Sequence, residues 1–122
     1  DYHENLAFQS SLDAGNRFHG LPYALAGAAG PGVATSTHLF FVGGDDGTQY
    51  GHPHETHSGL GRRIFAVDLE SLEVTDVGEW PHAVAVAPLL RLGDDLVTVS
   101  GETRPGVRTP KLTRWPIPAK YR

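Results

Sequence analysis

The chain contains no cysteine. That excludes disulfide staples, thiolate zinc sites and cysteine nucleophiles, and it leaves the compartment open between periplasm and cytoplasm. Positive charge is also scarce, since ten Lys and Arg stand against fourteen Asp and Glu for a net charge of −4. A sequence-independent grip on nucleic acid needs a basic face, so no nucleic-acid partner is expected. No apolar run approaches the roughly 20 residues of a membrane-crossing helix, and no membrane partner is expected. The stretch Asp1 to Ser10 lacks the basic start and apolar centre of a secretory signal.

What is present points to one folded domain of short strands. The 122 residues are 39% apolar and 20% charged, enough for a modest core and too apolar for a disordered chain. Fifteen glycines and nine prolines imply many turns. The runs "HLFFV", "RRIFAVDL", "LEVTDV", "DLVTV" and "KLTRW" are β-branched or aromatic and bounded by Gly, Asp, Pro or Ser. Only "NLAFQSSLDA" suits a helical turn or two. "ALAGAAGPGVA" reads as a sharply bent or tightly packed strand.

These runs are written twice. From Leu21 and again from Trp80, an apolar residue plus Pro precedes a small apolar strand and a turn. A second strand follows, "LFFVGG" or "LVTVSG", and then an acidic residue, Asp45 or Glu102. The copies are offset by 57 residues between Gly44 and Gly101, and by 59 between Leu21 and Trp80. A strand-only period of about 50 is the mark of a propeller blade, a four-stranded sheet that cannot bury both faces alone. The first copy continues into a third strand at "IFAVDLES", a turn, and a fourth strand at "EVTDVGEW". The second copy has "KLTRWPI" for its third strand and no fourth. The expected fold is all-β: about two four-stranded antiparallel β-propeller blades, the second incomplete. Residues 21–79 form one blade and 80–122 the other, with 1–20 as a completing strand or linker.

Two inserts leave the second strands. "ETRPGVRTP" holds Glu102, Arg104 and Arg108 around Pro105-Gly106, a dipeptide favoured at the centre of a type II turn. Such a turn folds the guanidinium groups back toward Glu102, and an arginine fork binds a carboxylate in bidentate fashion. Composition alone favours an ion-paired, stiffened surface loop. The longer insert "DDGTQYGHPHETHSGLG" holds His52, His54 and His57 with Glu55 among them. Imidazoles so spaced suit zinc, but Pro53 interrupts regular structure through the cluster and no metal is expected. Contact with a ligand and plain exposure both remain open for this loop. Asp45-Asp46-Gly47 lacks the alternating carboxylates of a calcium loop and reads as a tight turn.

The double-glycine strand end "FVGG", the "IFAVDL" strand and the Trp-Pro opening resemble kelch repeats. More narrowly, "GGDDG", the His-Pro insert and above all "SGETRPGVRTP" are similar to the final blades of the kelch-type mutarotases, the N-acetylneuraminate epimerase family. The resemblance spans about Leu21 to Leu112. It implies a six-bladed propeller acting on a small sugar, N-acetylneuraminate or a relative, by acid/base ring opening and closing without a cofactor. Glu102 and Arg108 are then the catalytic positions, with Arg104, Asp45, His52 and His54 around the substrate. The other blades come from the same protein or from self-association. The alternative on the same fold is a kelch module that binds a protein or a glycan without chemistry.

Overall fold

The computed structural model describes residues 30–49 and 51–122. The helix expected within Asn5 to Ala14, the segment 1–20 and the Leu21-Pro22 opening lie outside the described residues. The described elements are strands and short 3-10 turns joined by turns and irregular segments, and the sheets are antiparallel, so the described chain is all-β. Among the described residues, no helix is long and apolar enough to cross a membrane.

The first sheet has four strands in sequence order: β1 (Gly32–Ala34), β2 (His38–Gly44), β3 (Gly61–Asp68) and β4 (Val74–Glu79). Side-chain chemistry fixes each reversal. Between β1 and β2, the Thr35 hydroxyl accepts the amides of Thr37 and His38 at 3.3 and 3.1 Å. Between β3 and β4, the Asp68 carboxylate accepts the amides of Glu70 and Ser71 at 2.8 and 2.9 Å. This is the local capping that favours Thr and Asp in turns. Register then sorts the faces. Phe40 pairs with Ala66 and Val42 with Ile64, which places all four on one side of the pleat, while Phe41 and Phe65 pair on the other. The last two rings lie 5.2 Å apart.

The second sheet has three strands, β5 (Leu89–Leu92), β6 (Asp95–Val99) and β9 (Leu112–Pro116), in the order β5-β6-β9. Between β6 and β9 the chain makes a small separate hairpin, β7 (Glu102–Arg104) and β8 (Val107–Arg108). Short edge hairpins of this kind carry little stability themselves and depend on what they lean against.

The two sheets share one core. Phe40, Val42, Ile64 and Ala66 from the first sheet cluster with Leu89 and Leu96 from the second. Trp80 and Val84, on the connection between the sheets, are both wholly buried in the same cluster. Each such side chain contributes roughly 1.5–3 kcal/mol by leaving water. No fourth strand pairs with β9 among the described residues. Instead the backbone turns after Pro116 and inserts Ile117 and Tyr121 into the core. Tyr121 meets His38 and Phe40 edge-on, with ring centroids 5.0 and 6.3 Å apart.

Candidate functional site

The 57-residue repeat reappears in the backbone at the ends of β2 and β6. Gly43 and Gly44 have φ of +60° and +84°, and Ser100 and Gly101, 57 residues later, have +61° and +118°. Both strands therefore end in the same left-handed kink, and both kinks are followed at once by the acidic residue, Asp45 or Glu102. Side-chain space explains the glycines. A Cβ on Gly43 would collide with the Val84 carbonyl, and one on Gly101 would stand 2.9 Å from Val84 and 3.0 Å from Ala87. The connection around Val84 runs between the two kinks and bonds to both: the Gly44 amide donates to Val84 O at 2.8 Å, and Ala85 and Glu102 exchange backbone bonds of 2.9 and 2.8 Å.

From the second kink the β7–β8 hairpin projects with Pro105-Gly106 at its tip. Gly106 has φ +77°, as the third residue of a type II turn requires. A bulge between Glu102 and Arg104 absorbs the mismatch between this turn and the twist of the strands. Glu102 and Arg108 thereby become cross-strand partners, with Nη1 of Arg108 3.8 Å from Oε1 of Glu102. The carboxylate side chain is 30% exposed and the guanidinium 48%. A pair this long and this wet is worth at most about 1 kcal/mol. It is open to exchange for another anion.

The second guanidinium nitrogen of Arg108 donates to the carbonyl of Val86 at 3.1 Å. Val86 has φ +49°, a conformation that a β-branched residue rarely adopts. The arginine thus braces a strained residue on the loop beneath the hairpin while it faces Glu102. Sequence reasoning missed Val86. Nothing in "AVAVAP" signals a left-handed residue, since valine favours extended backbone.

The remaining candidates fall in different places. Arg104 is exposed, cross-strand from Val107, and the ion pair forms with Arg108. Asp45 lines a shallow cavity of about 240 Å³ with Asp46, Thr48, Gln49 and Ser58. Its carboxylate accepts the Gly47 amide at 2.8 Å, and Asp46 does the same for Thr48 at 2.9 Å, so both acids shape their own turns. Gln49 ties this insert together, accepting from the Ser58 amide at 2.7 Å and donating to the Gly59 carbonyl at 3.3 Å. His52 and His54 are both exposed on the insert. The histidine drawn inward is His57, which is 7% exposed and accepts the Gly59 amide through Nδ1 at 3.1 Å. Among the described residues, no three of His, Asp and Glu come together as metal ligands do. The two inserts touch where the Leu60 amide donates to Thr103 O at 2.9 Å, so Asp45's loop and Glu102's hairpin are neighbours.

Chemically, the hairpin offers a half-exposed carboxylate, a guanidinium beside it, and a second arginine one turn away. Those are the parts of a site that exchanges a proton with a polar ligand and holds an acid group. No protein-family model matches the chain, and no curated protein matches it either.

Proposed function

We propose that the chain is a pair of kelch-type propeller blades from a sugar mutarotase acting on N-acetylneuraminate or a related acidic sugar. The observation that carries this reading is the Glu102–Arg108 pair, set on a hairpin that leaves β6 at the point where Asp45 leaves β2. Glu102 takes the proton of the anomeric hydroxyl as water protonates the ring oxygen and the ring C–O bond breaks. Closure on the other face runs in reverse, Glu102 giving its proton to the new anomeric oxygen and the open-chain hydroxyl losing its own to water. Arg108 exchanges its loose contact with Glu102 for the sugar's carboxylate, and Arg104 adds positive charge nearby. The shared core and the repeated kinks support two successive blades of one propeller. A ring of about six blades needs others, from the same protein or from self-association.

The test is the α/β interconversion of N-acetylneuraminate followed by NMR, with the intact protein, its ring closed, and with Glu102→Gln in the same protein. Acid/base catalysis of this kind is worth roughly 10²–10⁴-fold, and the variant is expected to lose it. Equal rates with and without Glu102 would overturn the assignment. The variant's far-UV circular dichroism, expected to match the wild type, separates loss of catalysis from unfolding.

A second reading has its own support. Arg108 is already engaged, by Glu102 on its own hairpin and by Val86 O, as a structural arginine would be. On this reading the blades form a kelch module that binds a protein or a glycan through its loops. A glycan-array signal unchanged by Arg108→Ala, without mutarotation, would favour it.

A further inference from the structure

The turn that opens β2 sets three side chains in a row, at the opposite end of that strand from Asp45. Thr37 Oγ1 lies 2.8 Å from Nδ1 of His38, and Nε2 of the same ring lies 3.8 Å from Oδ2 of Asp68. Register causes the second contact, because His38 and Asp68 are direct cross-strand partners on β2 and β3. The imidazole is 12% exposed and meets the Tyr121 ring edge-on at 5.0 Å, which fixes its plane. Thr37, by contrast, is exposed.

Turn building does not explain the Thr37 hydroxyl. Thr35 already holds the turn, its own hydroxyl taking the amides of Thr37 and His38. Among the described residues, the Thr37 hydroxyl bonds the imidazole and no backbone group. The Thr37 backbone is pinned from the other side, since its carbonyl accepts the Leu69 amide at 2.9 Å. Asp68 divides its two oxygens: Oδ1 accepts the Glu70 and Ser71 amides, and Oδ2 is left to face the ring. Negative charge beside Nε2 favours the tautomer with the ring proton there. Nδ1 is then the acceptor and the Thr37 hydroxyl the donor. A hydroxyl, a base within hydrogen-bond reach and a third group that orients the base are the parts of an activated nucleophile. They open on a cavity of about 450 Å³ lined by Ser36, Thr37, Asp68, Leu69 and Glu70.

We propose that Thr37, His38 and Asp68 form an acyl-transfer site that hydrolyses short-chain, uncharged esters. Leu69 gives the acyl chain an apolar wall, and the Asp68 and Glu70 carboxylates turn away anionic substrates. Thr37 Oγ1 attacks the ester carbonyl carbon as its proton passes to Nδ1 of His38. The ester C–O bond breaks and the alcohol leaves with that proton. Water then gives one proton to Nδ1 and attacks the acyl-threonine, and the proton returns to Thr37 as the acid departs. Asp68 touches no reacting atom and is a positioning residue. β2 spans seven residues, about 20 Å, between this site and the kink beside Asp45. The proposal therefore does not rest on the sugar reading.

The probe is p-nitrophenyl acetate, applied to the intact protein. Its leaving group departs readily, so acylation outruns hydrolysis and the acyl-protein accumulates. Peptide mass spectrometry of acid-quenched samples locates the acetyl group, and nitrophenolate release gives the rate. The acetyl group is expected on Thr37. Thr37→Val and His38→Gln should each slow nitrophenolate release about 100-fold or more, and Thr37→Ser should keep both the rate and the adduct. Thr37 is exposed, so Thr37→Val should keep the wild-type far-UV circular dichroism. Asp68→Asn should slow acetylation, and nitrogen NMR shifts of the His38 ring should report its proton moving to Nδ1. Loosened packing alone would not make that change. Acetyl groups on lysine or histidine with none on Thr37, or a Thr37 adduct that survives His38→Gln, would overturn the assignment.

Discussion

Ser100 holds the backbone conformation that Gly43 holds 57 residues earlier, φ +61° against +60°. The repeat has kept the kink and changed the residue. A residue with a Cβ loses roughly 1–2 kcal/mol in the left-handed region, and glycine gives back part of that through its larger unfolded-state entropy. Ser100→Gly should therefore stabilise the protein by about 0.5–1 kcal/mol. The midpoint of urea unfolding should rise with the slope unchanged.

The next residue allows no such exchange. Gly101 combines φ +118° with a packed surface that leaves no room for a Cβ. Gly101→Ala should cost about 2–4 kcal/mol, from backbone strain and overpacking against Val84 and Ala87 together. Gly106 has φ +77°, but a methyl group there would meet nothing within 4 Å, so Gly106→Ala should cost distinctly less. Urea unfolding of the two variants side by side separates strain from crowding. Equal losses at both positions would mean that the contacts at Gly101 are unimportant.

Much of this architecture can be read in the residues, and the reasons are local. β2, β3 and β4 follow from runs of apolar and β-branched residues closed by Gly-Gly, Asp-Leu-Glu-Ser and Gly-Glu-Trp. The meeting of Glu102 with Arg108 follows from Pro-Gly between them. Features set by distant partners could not be read this way. Tyr121 reads as a tail residue after two prolines, and its burial depends on His38 and Phe40, more than eighty positions away. Val86 contradicts its own propensity, in a loop bonded by the Arg108 side chain at Val86 O and by Glu102 at Ala85. The repeat offset was legible and made Asp45 and Glu102 equivalents. It did not show that Asp45 would spend its carboxylate on its own turn.

Thr98, in β6, is wholly buried, and its hydroxyl has no hydrogen-bond partner. An orphaned buried hydroxyl costs about 1–3 kcal/mol. Valine has the same shape without the oxygen and suits a strand as well. Thr98→Val should raise stability by about 1 kcal/mol. A fall in the urea midpoint would show instead that the hydroxyl is satisfied.

Asp68 links the fold to pH. Its carboxylate is held below the ordinary value of 3.8, first by the Ser71 amide and next by that of Glu70, with a smaller contribution from His38. A carboxyl depressed in the folded state contributes its stability in full above the unfolded pKa, and that contribution is lost as pH falls through the folded one. The window therefore opens near pH 4 and extends downward. Asp68→Asn keeps an oxygen for the two amides but removes the titration. The variant's stability should fall less steeply than the wild type's below pH 4, as read from urea midpoints at a series of acidic pH values. Equal slopes for the two proteins below pH 4 would mean that these amides do not hold the Asp68 carboxyl down.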